Sequence, residues 1–274
     1  VRIQELHAQV NQATNVDFHE AVERLPVPLI TFEVGQYCCY PDVSIMARYT
    51  GAMEPSNFAW IDADMRRKGV RERLPEYLAA SGDLAMRLYK EDVEAALRTP
   101  GLAGFQLLAL SDYTGQSTAT IGLLDVFLHS KGICQPEDFR CFCDAVVPLF
   151  KAKRIFTTDE VLEAELGLYD HGPASLARPR WEVRIEKDGE PFYEVVTEHP
   201  HISVPLDRIT SSCRLHVTVT VAGHSNHWDV YVFAPGASED VTILRTPEEL
   251  AAFCKGSGNA IALRTCFPDA VQGS

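Results

Sequence analysis

The chain has 274 residues, enough for two compact domains, and its 46% hydrophobic and 23% charged residues are typical of a soluble globular protein. No apolar run approaches the length needed to span a bilayer, which excludes a membrane-spanning protein. The formal charge of -13 repels polyanions and excludes a basic nucleic-acid surface, whereas neutral or cationic small ligands are compatible with it.

Targeting and metal motifs are missing from the sequence. The first dozen residues have the mixed polarity of a helix and predict no signal peptide, so periplasmic, secreted and cytoplasmic locations all stay open. The eight cysteines contain a CC and a CxC but no CxxC, and the nine histidines contain no HExxH. We therefore predict free, mostly buried thiols and neither a cofactor nor a metal site.

The first 165 residues alternate between short apolar runs and longer helical patterns, which predicts βαβ units with a parallel sheet. The predicted elements are a helix at 16–25, a strand at 27–33, helical pieces at 43–49 and 55–80, a helix at 81–97 capped by Ser81 or Asp83, and a strand at 105–110.

After about residue 165 the pattern changes to strands and turns. Two apolar runs flank Asp188-Gly189, a strong two-residue hairpin signal, and residues 214–222 and 227–234 alternate with period two. This part predicts an antiparallel β-sandwich of immunoglobulin-like size at 166–236. Residues 237–274 then read strand, helix, strand, which predicts the start of a further α/β domain.

The parallel part contains only two clear strands. A parallel sheet must be covered on both faces and continued at both edges, which two strands cannot achieve. The chain is therefore expected either to be the terminal part of a larger protein or to pair with another piece.

Polar side chains follow both strands. Glu33, Gln36 and Tyr37 come after the first strand, and Asp112 and Gln116 come after the second. The active sites of α/β barrels are built at the carboxyl ends of their strands, so catalysis is expected at this place. The alternative is that Glu33 and Asp112 are loop residues that cap helices.

These residues lie within several blocks that resemble glycoside hydrolase family 2-like proteins, in which a (β/α)8 catalytic barrel precedes a β-sandwich. The resemblance covers about residues 15–236 and rests on "PLITFEVGQYCCYPD", "YTGAMEPSN", "SGDLAMRLYKEDVEAALRTPGLAGFQLLALSDYTGQSTATIGLLDVFLHSKG" and "SNHWDVYVF". It implies that residues 1–165 are the carboxyl-terminal part of the barrel.

The resemblance also implies roles for individual residues. Glu33 matches the nucleophile at the end of the seventh barrel strand, where a retaining glycosidase needs an ionised carboxylate held by neighbours such as Gln36 or Tyr37. Asp112 and Gln116 are then placed to bind sugar hydroxyls. Four aromatic residues could stack on a sugar ring or simply pack in the protein: Tyr37, Tyr40, Trp60 and Tyr113.

The chain departs from the family in three ways. The family's acid/base glutamate follows an asparagine, and no Asn-Glu pair occurs in this sequence; Leu128 stands where an aromatic residue is common; and the first five or six barrel strands are not present. The resemblance therefore predicts part of a retaining β-glycosidase of the β-galactosidase kind that acts on a carbohydrate substrate, inactive as the isolated chain. The alternative is a non-catalytic carbohydrate-binding or interaction module.

Overall fold

The computed structural model describes residues 13–52, 54–113, 119–173, 176–235, 242–256 and 260–263. The chain divides into two compact units, Val1–Phe233 and Ala234–Ser274. The fold is mixed α/β with substantial sheet content. No helix in the described ranges has the length and apolar character that a bilayer crossing requires.

The first unit begins with helices around a two-stranded parallel sheet. Its strands β1 and β2 pair in parallel, with Ile30 opposite Gly104 and Thr31 opposite Phe105, which confirms the direction predicted from the βαβ pattern. The elements up to β2 are α1 His19–Arg24, β1 Ile30–Val34, a 3-10 turn Val43–Arg48, α2 Ser56–Arg67, a 3-10 turn Arg71–Arg73, α3 Leu74–Leu97 and β2 Gly104–Leu107, and a short α4 Pro136–Arg140 follows.

The two faces of this sheet have different surroundings. One face packs on α3, where Val34 and Phe105 join Val93 and Phe142 in an apolar cluster. On the other face the side chains of Ile30 and Phe32 are 57% and 68% exposed. The expectation of a strand buried on both faces therefore holds on the α3 side alone within the described residues.

Helix α3 is one continuous helix and does not begin at Ser81 or Asp83 as predicted. Pro75 lies in its first turn, a position where a missing backbone N–H costs nothing. Ser81 lies inside the helix, where its hydroxyl donates to the Tyr77 carbonyl at 2.6 Å and accepts from the Tyr40 N–H at 2.7 Å. A serine hydroxyl that bonds nearby backbone groups is typical of a helix N-cap, but here the Ser81 hydroxyl makes these bonds from inside the helix.

Two sheets enclose the main core, and all their strand pairs are antiparallel except β4 with β10, which is parallel. We call residues 146–233 the two-sheet region. One sheet has the order β3-β5-β8 and the other β4-β10-β9-β6-β7. The strands are β3 Val146–Lys151, β4 Ile155–Thr157, β5 Val161–Asp170, β6 Trp181–Lys187, β7 Glu190–Thr197, β8 His201–Pro205, β9 Cys213–Val221 and β10 His224–Phe233. The domain boundary expected between 165 and 166 falls inside β5, because β3 and β5 form a long antiparallel pair.

Period-two alternation determines which side chains of the two-sheet region are buried. Every second residue of β9 faces inward, and the inward side chains of both sheets share one apolar cluster in which the Phe150 and Trp228 rings stack at 5.3 Å. The predicted hairpin is confirmed: β6 and β7 are joined at Asp188 and Gly189, both with positive φ, the conformation that favours Asp-Gly in such turns.

A buried polar network joins α3 to the two-sheet region. The fully buried Glu94 accepts from the Trp228 indole N–H at 2.9 Å and from the Asn226 amide at 2.8 Å. Its charge is balanced by Lys90 and by Arg98, whose guanidinium lies 3.3 Å away. Because a buried charge must be paired, this network determines how α3 meets β10.

The second unit contains β11 Thr242–Leu244, α5 Pro247–Phe253 and β12 Ala260–Ala262, with β11 and β12 parallel. These are the strand, helix and strand predicted from the sequence. Thr246 and Glu249 cap α5 reciprocally, each side chain bonding the other residue's backbone N–H.

Candidate functional site

Glu33 lies at a backbone irregularity at the carboxyl end of β1. The pairing register shifts between Thr31 and Val34, and Glu33 has φ 59, in the left-handed region that L residues with a side chain seldom adopt. Gln36 donates its amide N–H to Glu33 Oε2 at 2.9 Å. The carboxylate is therefore oriented by a neutral donor and stands on a backbone that departs from regular strand geometry.

The turn that follows Glu33 is attached to α3. Gly35 has φ 87, and a Cβ at this position would overlap the ring of Tyr89. Tyr37 donates its hydroxyl to Asp92 Oδ2 at 2.7 Å, and burial together with this bond raises the pKa of Tyr37 well above its usual range. Tyr37, predicted to contact substrate, thus uses its hydroxyl to hold the turn that carries Glu33.

Asp112 follows β2, and its side chain is largely buried, with 8% exposed. Its Oδ1 accepts from Lys131 Nζ at 2.8 Å and from the Gly122 N–H at 2.9 Å. Burial raises the pKa of the Asp112 carboxyl, although Lys131 and the Gly122 N–H oppose the shift. Lys131 also donates to the Thr120 carbonyl at 3.0 Å, so this ion pair organises the loop after β2.

The strands β1 and β2 are parallel, with Glu33 near the carboxyl end of β1 and Asp112 beyond the carboxyl end of β2. Gln36 is beside Glu33, as expected. Gln116, the other predicted sugar-binding residue, lies outside the described residues. The structure therefore joins Glu33 with Gln36 directly and gives Asp112 a set of partners of its own.

The four aromatic candidates fall into two groups. The Tyr37 ring meets Tyr89 edge to face at 6.2 Å, and the Tyr40 ring meets Tyr77 at 5.2 Å, so both are packing residues. Trp60 and Tyr113 are exposed, Trp60 by 71%. An exposed indole offers the flat apolar face on which a sugar ring can stack.

A small cavity lies beside Asp112. It holds about 50 Å³ and is lined by Tyr49, Glu54, Asn57 and Tyr113 among others. A cavity of this size accommodates water rather than a sugar ring.

Sequence reasoning missed the residues that support the site. Tyr89 and Asp92 lie three residues apart on α3, which places them on one side of the helix where they meet the turn after Glu33. That spacing was the available signal, but nothing in the sequence indicated which turn the two residues would face.

Thiols and metal-ligand clusters add no further chemistry. The seven cysteines of the described ranges are free, as predicted, although Cys39 alone among them is fully buried. Nor do the described residues contain a group of three or more His, Cys, Asp or Glu side chains arranged to hold a metal ion.

Comparisons with known proteins give no family assignment. No family model matches the chain, and no curated protein matches it either. Solved structures that resemble it include a β-glucuronidase of Bacteroides uniformis, at 11% identity and TM-score 0.23, with 64% of this chain and 22% of that one covered. The CARDB domain of a Pyrococcus furiosus protein, in complex with di-metal ions, matches at 16% identity and TM-score 0.23, over 33% of this chain and 94% of that one.

A third similar structure comprises extracellular domains 3–5 of Drosophila OTK, at 12% identity and TM-score 0.22, over 34% of this chain and 36% of that one. The chain thus spans about a fifth of the β-glucuronidase and about a third of the OTK structure. At TM-scores this low, none of these similarities establishes a shared fold or a function.

Proposed function

We propose that this chain is the carboxyl-terminal part of a retaining β-glycosidase, with Glu33 as the nucleophile. The observation that carries the proposal is the position of Glu33, at the carboxyl end of one of two parallel strands, on a left-handed backbone and with its carboxylate bonded to Gln36. Distorted backbone at a strand end is often found at functional sites. The sequence resemblance assigns the nucleophile to this same residue.

The proposed architecture has a (β/α)8 barrel followed by an immunoglobulin-like sandwich. The strand order of the two sheets supports the sandwich, because successive strands of the chain are divided between the two sheets around one shared core. The exposed Ile30 and Phe32 support the barrel, since further strands and their side chains would cover them.

The proposed chemistry is a double displacement at the anomeric carbon. Glu33 attacks this carbon and forms a glycosyl ester while a second carboxylic acid protonates the leaving oxygen; the second carboxylate then activates the water that hydrolyses the ester. The two carboxyl groups lie about 5–5.5 Å apart in retaining enzymes. Gln36 would hold the Glu33 carboxylate for attack, and the second carboxylate would come from the remaining part of the barrel.

A non-catalytic carbohydrate-binding module is the second candidate. Two exposed aromatic side chains, Trp60 and Tyr113, favour it, and so does the lack of the family's Asn-Glu pair in the sequence. Stacking of sugar on an indole needs no acid/base residue. In this candidate Glu33 and Gln36 would bind sugar hydroxyls.

The deciding experiment uses the natural gene product that contains this chain, assayed with activated aryl β-glycosides. Glu33→Gln keeps the shape of the side chain and removes the nucleophile, so turnover should fall by about three or more orders of magnitude while the fold is retained. Glu72→Gln, at an exposed position in the 3-10 turn Arg71–Arg73, is the matched control and should keep full turnover.

Azide distinguishes the two candidates further. In a Glu33→Ala variant azide can take the place of the lost carboxylate and return an α-glycosyl azide, the product expected only if Glu33 is the nucleophile. Saturable glycan binding without turnover, weakened in Trp60→Ala, would support the binding module. Full turnover by Glu33→Gln would assign the nucleophile elsewhere.

A further inference from the structure

A second and larger cavity lies between α3 and the outer face of β9 and β10. This groove has a volume of about 410 Å³, within the range of pockets that hold small organic ligands. The apolar residues of its lining include Met86, Ile133 and Phe142. The groove is therefore large enough, and apolar enough, for a ligand with a flat or aliphatic body.

Three basic side chains gather around one carboxylate in the groove. Asp229 Oδ1 lies 3.0 Å from His216 Nδ1, and Asp229 Oδ2 lies 3.6 Å from one nitrogen of Arg87 and 3.6 Å from one nitrogen of Arg214. The two 3.6 Å distances are too long for hydrogen bonds, so each guanidinium is attracted by charge but keeps donors for another acceptor. Asp229 therefore leaves N–H donors of Arg87 and Arg214 available to a bound anion.

The remaining acids of the groove are already paired. Asp83 accepts from Arg87 Nε at 2.9 Å, and Glu91 is shared by Arg98 at 3.2 Å and by Arg154. Asp138 accepts from the Gln135 N–H at 3.1 Å and caps α4. These acids have limited capacity to repel an anion, because each has a cation or a backbone N–H beside it.

We propose that this groove binds a small organic anion, a carboxylate or a phosphate ester with an aromatic or aliphatic body. Arg87 and Arg214 hold the oxyanion through their unused N–H groups, since guanidinium forks match carboxylate and phosphate geometry. Met86 and Ile133 contact the body. This groove is distinct from the carboxyl end of β1, where Glu33 lies, and the proposal does not depend on the function proposed for Glu33.

The test measures ligand binding to the full chain by isothermal titration calorimetry. The probes are phenyl phosphate, benzoate and inorganic phosphate. Benzylamine, which has a similar aromatic ring but a positive charge, is the control ligand. Phenyl phosphate or benzoate should bind saturably and more tightly than inorganic phosphate, and benzylamine should not bind. Preference between phenyl phosphate and benzoate identifies the head group.

Variants connect the binding to the groove. Arg214→Gln removes one charge-assisted donor and should weaken binding about tenfold. Arg184→Gln is the matched control, because Arg184 is an exposed arginine of the same sheet whose partners, Glu186 and Glu194, lie on β6 and β7. It should leave the affinity unchanged.

Three results would overturn the proposal: no saturable binding of any anion, equal affinity in Arg214→Gln and Arg184→Gln, or binding of benzylamine as tight as that of phenyl phosphate. If Arg214→Gln lowers the midpoint of thermal unfolding, Arg87→Gln and Arg214→Lys replace it. The first should weaken binding, and the second should retain part of it because it keeps the charge.

Discussion

Glu33 carries a backbone cost that its position in a strand does not require. Left-handed geometry costs an L residue about 1–2 kcal/mol, whereas glycine adopts it freely. Strain of this kind persists where the surroundings impose it, and it is common at functional sites. The residue that the resemblance identifies as the nucleophile is therefore also one that a stability-optimised chain would replace.

This strain predicts that Glu33→Gly raises the free energy of unfolding by about 1 kcal/mol while it removes the carboxylate. Urea denaturation of the full chain measures the change. Glu33→Gln is the control, because it removes the charge but keeps a Cβ, and it should leave stability close to wild type. A Glu33→Gly protein less stable than Glu33→Gln would show that the backbone at this residue is not strained.

Gly35 offers a second prediction at the same turn. A methyl group at this position meets both an unfavourable φ of 87 and the ring of Tyr89, so Gly35→Ala should destabilise the chain by about 2–4 kcal/mol. Gly69→Ala is a matched control: its φ is 67, but a Cβ there would touch nothing within 4 Å. Urea unfolding should show a clearly smaller loss for Gly69→Ala, and equal losses would remove the steric part of the argument.

At the scale of elements, local patterns predicted the structure wherever local physics decides it. The Asp188-Gly189 hairpin follows from positive φ, and the alternation in β9 and β10 follows from burial of one face. The start of α3 was mispredicted because Ser81 and Gly82 look like a helix boundary. Tertiary contacts explain both residues: the Ser81 hydroxyl accepts a hydrogen bond from the Tyr40 N–H, and a Cβ on Gly82 would lie 2.5 Å from Ile133.

Helix α3 acts as a common support for the candidate site and the two-sheet region. Its Asp92 holds Tyr37 beside the site, and two residues later its Glu94 reaches Trp228 of β10. Neither contact could be read from the sequence, because each joins residues more than fifty positions apart. Burial opposes ionisation of Glu94, but Lys90 and Arg98 outweigh it and hold the pKa of this carboxyl below its ordinary value.

Glu94 therefore predicts a pH dependence of stability. A carboxyl whose pKa is lowered by folding contributes stability above its ordinary pKa of 4.5, and that contribution is lost as the pH falls from there through the folded-state pKa. Glu94→Gln leaves Lys90 and Arg98 without their shared partner, so it should cost about 3–5 kcal/mol at neutral pH.

Urea unfolding from pH 7 downward checks this prediction. The Glu94→Gln variant should also lose stability less steeply in acid than the wild type does. Glu182→Gln, at an exposed position of β6, is the control and should follow the wild-type curve. If the stability of Glu94→Gln fell with decreasing pH as steeply as that of the wild type, the loss of stability in acid would not come from protonation of Glu94.

At the scale of the whole molecule, the sequence predicted the change from parallel to antiparallel structure but placed it too late. The apolar run of β3 was assigned to the first domain, because a buried strand of a barrel and a strand of a sandwich look alike when every residue is apolar. The pairing partners decide between them, and β3 pairs with β5.

The uncovered face of β1 leads to a prediction about association. Ile30 and Phe32 expose large apolar side chains on a sheet that has two strands in the described residues, and burial of each would contribute about 1.5–3 kcal/mol. The 274-residue chain should therefore self-associate, with a sedimentation coefficient that rises with protein concentration.

Phe32→Lys should abolish this rise, because it places a charge on the contact face. Leu84→Lys, at a 57% exposed position on α3, is the control and should still associate. A wild-type chain that sediments as a monomer at all concentrations would contradict the prediction, and it would also remove the main structural reason for expecting further strands beside β1.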